Sequence, residues 1–344
     1  MPRANATYPV EQPTPPRPAT VEASALKALT ALSPTAHSAR LLVIRAGALG
    51  DTILTLPAIR ALRQYMPSSH ITAVGYPQLW SVAGNLVDEI VSIDDPIFAT
   101  LFSSQPASQL VQWLTAFDRA VVWTTRDPAT ALAAAGIPFT HASPYPPPEM
   151  HAAVWLTATL GLTLPNDTAL PVSLRGGNRG DAVLVHPGAG ATWKRWPAER
   201  FAALVDHLAS HGVDVGLVEG PADREAVAAV LEQVGAQPPI VSAASPVELA
   251  RVLSAARLVV GNDSGVTHLA AAAGVPTLAL FGPTDPAGWA PLGDVCVIRY
   301  CRRRATAAAQ IRVCDDPECM PRIPLETVLQ AVDTFLERSS TTPC

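Results

Sequence analysis

Long hydrophobic runs are missing from this 344-residue chain: no stretch reaches the about 18 consecutive apolar residues that a bilayer-spanning helix needs. Charge is scarce as well, at 15% of residues against 49% hydrophobic ones. A net charge of −5 argues against general nucleic-acid binding. Three signatures are absent. Without Gly-x-Gly-x-x-Gly after the first strand, and without an acidic residue in register after the second, a nicotinamide oxidoreductase is disfavoured. Without Asp-x-Asp there is no motif of the kind that holds an ion against donor phosphates. Without Cys-x-x-Cys, the cluster Cys296, Cys301, Cys314 and Cys319 lacks zinc-site spacing, and the expectation is reduced, structural thiols with no metal site.

A disulfide-built secreted fold would spread its cysteines and carry a signal segment. The start of this chain, Met1 to Thr20, is instead rich in proline and polar residues, which predicts a disordered tail over 1–38 and a cytoplasmic protein. Arg299, Arg302, Arg303, Arg304 and Arg312 form a basic cluster suited to anionic lipid or sugar phosphates. A solvated arginine-rich loop explains the same run equally well.

Length and pattern predict two domains of about 150 residues each. Strand-like runs at 41–44, 71–74, 89–93 and 120–123 alternate with segments of helical apolar spacing, which predicts a parallel sheet. Ala23 to Leu32 has the spacing of a short helix, and Pro57 is expected to kink or restart the helix that follows the first strand. The polar, glycine-bearing stretch from Thr163 to Gly180 sets the expected boundary, with domains over 39–175 and 176–324 and a C-terminal helix and tail over 325–344. Strands then recur at 182–185, 213–218, 240–241, 258–260 and 277–281, giving a second α/β unit.

Three stretches carry chemistry. In Leu41 to Ile59, an apolar strand breaks at Ala46 to Gly50 and resumes as a helix, so the Asp51 carboxylate sits at a helix start, as a cap or as a functional acid. In Gly261-Asn-Asp-Ser-Gly-Val-Thr-His268 a strand ends and a helix opens, which is an anion site. There Gly265 admits a phosphate to the backbone, and Ser264 and Thr267 offer hydroxyls. Asp263 and Ser264 also fit simple N-capping, and His268 a satisfied buried histidine. In His186 to Pro197, the Lys194 ammonium can neutralise a phosphate oxygen and Thr192 adds a hydroxyl. Glu219 to Glu225 follows the next strand, where a carboxylate can take both ribose hydroxyls.

Together these stretches resemble the heptosyltransferase family of glycosyltransferases, over about Leu41 to Val332. The resemblance implies a GT-B architecture: two Rossmann-like α/β domains with the ligand in the cleft between them and the last helix, 325–336, returning to the first domain. It implies an inverting transferase that moves a heptose, or a related sugar, from a nucleotide diphosphate, ADP-heptose, to a lipopolysaccharide-type glycan acceptor, with no cofactor and no metal. Asp51 matches the family's proposed base through Gly50-Asp51-x-x-x-Thr55-Leu56-Pro57, with Arg45 and Gly50 on the acceptor side. The loop Asp263, Ser264, Gly265, Thr267 and His268 matches the donor-diphosphate loop, and Lys194 the donor-phosphate lysine. The ribose acid aligns with Asp223 or Glu225. Peripheral contact with the inner face of the inner membrane is left open, and no nucleic acid is implied. The rival class, a non-catalytic nucleotide-sugar-binding protein, would have no use for Asp51 and Lys194 together.

Overall fold

The computed structural model describes residues 10–11, 38–177, 179–235, 237–307 and 310–337. The chain divides into two compact units, one ending at Ser173 and the other beginning at Leu174, with Val10–Glu11 (β1) belonging to the second. The helix expected at Ala23 to Leu32 lies outside the described residues.

The first unit is built on five parallel strands, Arg40–Ile44 (β2), His70–Gly75 (β3), Glu89–Ser92 (β4), Arg119–Trp123 (β5) and Phe139–Ala142 (β6), in the order β4-β3-β2-β5-β6. Leu41, Leu42, Val43 and Ile44 are all buried, as a central parallel strand covered on both faces requires. One face packs Leu42, Ile44, Val74 and Val122 against Leu110 and Leu114 of Ser108–Leu114 and Leu132 of Ala129–Ala134. Helix Leu49–Tyr65 (α1) packs along Ala152–Ala158 (α2). Pro57 does not restart α1; it lies inside one continuous helix, Leu49–Tyr65. β6 was not anticipated, because Phe139-Thr-His-Ala has no apolar alternation and all four residues are half-buried.

Because the chain runs β2, β3, β4 outward and then crosses to β5 on the other side of β2, the strand order reverses beside β2. That is a topological switch point, and the turn after β2 is one of the two loops at it.

The second unit has Val183–His186 (β7), Val215–Val218 (β8), Ile240–Val241 (β9), Leu258–Asn262 (β10), Thr277–Phe281 (β11) and Val295–Arg299 (β12) in the order β1-β12-β11-β10-β7-β8-β9. All neighbours are parallel except β1, which runs antiparallel to β12 with Val10 opposite Ile298. Here the switch point lies between β7 and β10, so the loops after those two strands are neighbours. Helices Ala198–Ser210 (α3), Arg224–Leu231 (α4), Pro246–Ser254 (α5), Gly265–Ala272 (α6) and Leu325–Glu337 (α7) flank the sheet.

One expectation changes here. Val10–Glu11 falls within the expected disordered tail yet forms a strand, since it supplies hydrogen-bonding partners to the outer edge of β12. In the C-terminal helix, the apolar stripe Val328, Ala331 and Val332 is buried in the core of the second unit with Phe201, Leu204 and Leu208 of α3. His207 Nε2 meets Asp333 at 2.9 Å, and the Arg257 guanidinium donates to the Leu336 carbonyl near the helix end. The amphipathic stripe found the nearest groove that matched it.

Candidate functional site

At the switch point of the first unit, the backbone of Arg45 is pinned from two sides. Its N–H donates to the Val74 carbonyl at 3.0 Å, and its carbonyl accepts from Trp80 Nε1 at 3.0 Å. The Arg45 side chain, only 7% exposed, turns back to meet Asp51 Oδ1 at 3.0 Å. Burial lowers the guanidinium from its ordinary value, while the charges of Asp51 and Tyr145 oppose that shift. Asp51 Oδ2 accepts from the Ala48 N–H at 3.0 Å. The acid is therefore a cap, as its position at a helix start predicts. It is more than a cap, because its side chain stays 30% exposed and each oxygen retains a further acceptor position. Gly47 belongs to this geometry: a Cβ there would lie 2.6 Å from the Asp51 Cβ. Gly50, in the first turn of α1, is half-buried. Arg45, expected on the acceptor side, has its guanidinium paired with the Asp51 carboxylate.

At the switch point of the second unit, the loops after β7 and β10 are knotted together by side chains. Asn262, fully buried, accepts from the Trp196 N–H at 3.0 Å and donates to the Pro187 and Gly188 carbonyls at 2.9 and 3.2 Å. His186 lies between Asp223, 3.1 Å from Nε2, and Ser264, 3.2 Å from Nδ1. The Thr267 hydroxyl donates to the Asn262 carbonyl and so accepts from Ser264 Oγ at 2.8 Å. The Thr267 N–H also points to Ser264 Oγ, which caps α6. The hydroxyls of Ser264 and Thr267, expected to face a phosphate, are thus turned inward and hold the loop. What α6 still presents at its start are the N–H groups of Gly265 and Val266, which have no intrahelical partner. Both residues are half-exposed.

Lys194 stands beside this helix start. Its Nζ is 2.6 Å from Asp263 Oδ2, with the lysine side chain 20% and the aspartate 7% exposed. The same ammonium lies 5.3 Å from the centre of the Trp193 ring, which the Arg312 guanidinium also approaches at 5.3 Å. The two residues expected to meet the donor independently therefore form one ion pair. Thr192 is exposed on the same turn. His268 is buried in the first turn of α6.

The two candidates for a ribose acid part company. Glu225 is 87% exposed and pairs with Arg195 at 3.3 Å. Asp223 is buried, and its Oδ2 accepts from the Gly220 N–H at 3.0 Å besides meeting His186. Burial alone would raise its carboxyl, but the His186 contact and the Gly220 hydrogen bond hold it below the usual range. Gly188 lets it approach, since a Cβ there would sit 1.9 Å from Asp223 Oδ1.

Sequence reasoning missed His186 and Asn262 as site-building residues. The signal was present: each is the polar last residue of an otherwise apolar parallel strand, where a ligand loop begins. The basic cluster also dissolves in part. Arg299 is buried against Asp285 at 3.2 Å, and Arg304 meets the same carboxylate at 3.0 Å, so these two serve an internal node. Among the described residues, no helix is long and apolar enough to cross a membrane.

Residues 160–314 match the sequence profile of Glycosyltransferase family 9 (heptosyltransferase). Lipopolysaccharide heptosyltransferase 3 of Escherichia coli is 32% identical over 164 residues, 46% of this chain and 48% of that protein. The chain thus matches about half the length of that relative. Among solved structures, a glycosyl transferase family 9 protein from Veillonella parvula shares 24% identity at a TM-score of 0.70, covering 88% of this chain and 98% of its own. An E. coli heptosyltransferase solved with ADP-2-deoxy-2-fluoro heptose shares 20% at 0.61, covering 86% and 99%. At these identities the likeness establishes the fold, two parallel-sheet α/β domains of GT-B type.

Proposed function

We propose that this chain, which belongs to glycosyltransferase family 9, the heptosyltransferase family, is an inverting glycosyltransferase that moves a heptose from ADP-heptose to a lipopolysaccharide-type acceptor. The observation that carries the reading is that the family profile, over 160–314, contains every residue of the second unit's switch point described above. The solved relative that holds an ADP-heptose analogue supports adenine and heptose as the donor's two ends.

In this mechanism the second unit binds the donor and the first unit activates the acceptor. The Gly265 and Val266 N–H groups, at the positive end of α6, take the diphosphate, and Lys194 leaves or shares Asp263 to neutralise it. As the bond to the anomeric carbon breaks, negative charge grows on the departing diphosphate. Oriented amides and one ammonium stabilise that charge with little reorganisation. The acid for the ribose is Asp223 or Glu225, and Asp223, held by His186 and Gly220, is the better oriented of the two.

Asp51 is the base. Its carboxylate, oriented by Arg45 and Ala48, accepts the proton of the acceptor hydroxyl as that oxygen attacks the anomeric carbon from the face opposite the diphosphate, which inverts the centre. The acceptor meets the first unit near Arg45 and Gly50. The protein works on the cytoplasmic side.

The test is a thermal-shift screen with ADP-, GDP-, UDP- and dTDP-linked compounds, followed by turnover of the preferred donor with a heptose-acceptor glycan. Stabilisation by the adenine series is expected, about 2.7 kcal/mol at 100 times the dissociation constant. Preference for another base would replace the donor, and binding without turnover on any glycan would leave a nucleotide-sugar-binding protein.

A further inference from the structure

β12 is joined to α7 by a long arm, 300–324, whose described residues form no helix or strand beyond a single bridge between Thr284 and Arg312. Segments of this length without secondary structure are uncommon inside a compact unit and need some other restraint. Part of that restraint is visible. Asp285 takes Arg299, Arg304 and the Ala305 N–H, and the Val313 N–H donates to the Pro283 carbonyl at 2.7 Å. The rest converges on sulfur. Cys301, Cys314 and Cys319 are all buried, all free, and have their Sγ atoms within 4.8 Å of one another. Met320 and Ile323 anchor the end of the arm in the core of the second unit, but around the thiols themselves only Val313 and the half-buried Ala305 supply apolar surface.

We propose that Cys301, Cys314 and Cys319 bind one thiolate-preferring transition-metal ion, zinc in the first place or iron, which staples the 300–324 arm to itself. Soft thiolates select such ions, and a tetrahedral arrangement is their common geometry. With Zn–S bonds of about 2.3 Å, tetrahedral sulfurs stand about 3.8 Å apart, so closure on the ion needs movements of roughly 1 Å or less. Each thiol gives up its proton to the buffer on binding, and the ion takes the three sulfur lone pairs. Water fills the fourth position, because Arg302 and Asp315, next to Cys301 and Cys314, are exposed and the cluster lies just beneath the surface. Three thiolates around a divalent ion leave one negative charge, in an arm that carries several arginines. One of these, Arg312, donates through Nε to the Cys314 carbonyl at 2.9 Å.

The spacing concealed this site. Twelve residues separate the first two cysteines and four separate the last two, and neither gap is that of a zinc knuckle. The arm, not a hairpin or helix, brings the thiols together. An odd set of three also fits a disulfide poorly. The ion is a staple and takes no part in sugar transfer, so the inference stands or falls independently of the function proposed above.

The test uses the untagged full-length chain, purified without chelators from cells grown with zinc and analysed by inductively coupled plasma mass spectrometry. About one zinc or iron per chain is expected. Cys319→Ser should lose it and Cys296→Ala should keep it. Trypsin should cut at Arg302 to Arg304 faster after chelation of the wild type than before. If Cys319→Ser does not fold, cobalt substitution of the wild type decides, through thiolate-to-cobalt charge-transfer bands and tetrahedral d–d bands. Substoichiometric metal, full metal retention in Cys319→Ser, a disulfide among the three, or a cobalt spectrum without thiolate bands would each overturn the proposal.

Discussion

The two units use one device with opposite equipment. In each, an apolar parallel strand ends at a topological switch point and its loop opens a helix, after β2 in the first unit and after β10 in the second. In the first, the charged group that reaches solvent is the Asp51 carboxylate, with its buried partner Arg45 behind it. In the second the order is reversed: the Asp263 carboxylate is the more buried partner, and the Lys194 ammonium is the more exposed. A helix start favours anions in both cases. The first unit satisfies that preference with its own side chain, whereas the second turns its cap hydroxyls inward and leaves the Gly265 and Val266 amides, beside an ammonium paired with Asp263. That difference is what supports the acid proposed for the first loop and the anion site proposed for the second.

The sharpest way to break the comparison is at Asp51. Asp51→Asn keeps the shape and the capping acceptor, so folding and nucleoside-diphosphate affinity should be nearly unchanged, while turnover falls on the order of 10²–10⁴-fold. Normal turnover in the folded variant would return Asp51 to the role of a helix cap. Next is Lys194→Ala, which should weaken ADP binding on the order of 10–100-fold, the scale of a lost charge-assisted hydrogen bond, and adenosine binding far less. The variant also strands Asp263 without its cation. Calorimetry on Lys194→Ala/Asp263→Ala therefore separates the two effects, and equal losses for ADP and adenosine in the double variant would move Lys194 away from the diphosphate.

Ser264 sharpens the comparison from the other side. Because its hydroxyl is consumed by His186, Thr267 and the start of α6, Ser264→Ala should lower stability by about 1 kcal/mol, the scale of a lost N-cap. Donor affinity should change less. A large loss of affinity with an unchanged melting temperature would show that the hydroxyl faces ligand after all. The smallest expected effect is that of chelation on the chemistry itself, since amides and Lys194 are assigned the role a divalent ion plays elsewhere. Activity lost to EDTA and restored by magnesium or manganese would contradict that assignment. Restoration by zinc alone would point to the thiol arm instead.

The strand–turn–helix units were legible because a parallel strand buried on both faces is a continuous apolar run, and Leu41 to Ile44, Leu258 to Val260 and Thr277 to Phe281 are such runs. β12 had a similar run, Val295-Cys-Val-Ile298, but its neighbouring arginines drew the reading toward a surface patch. Arg299 shows why that reading was incomplete: a charge is stable in the interior when a partner such as Asp285 is buried with it, and no local pattern announces the partner.

Local chemistry by itself determined which residues open the two loops. Asp51, Ser264 and Lys194 occupy positions where strand end, turn and helix start follow one another within a few residues. Tertiary structure alone decided which of their atoms remain available. Whether Ser264 Oγ meets a phosphate or His186 depends on a residue 78 positions away. Whether the Asp223 carboxylate is engaged depends on His186, 37 positions away. Three cysteines at unremarkable spacing become a cluster only because an arm whose described residues form no helix or strand folds onto itself. Hydrogen bonds and metal bonds act over about 2–3 Å, so the contacts that set a site's chemistry are fixed by the packing of distant segments.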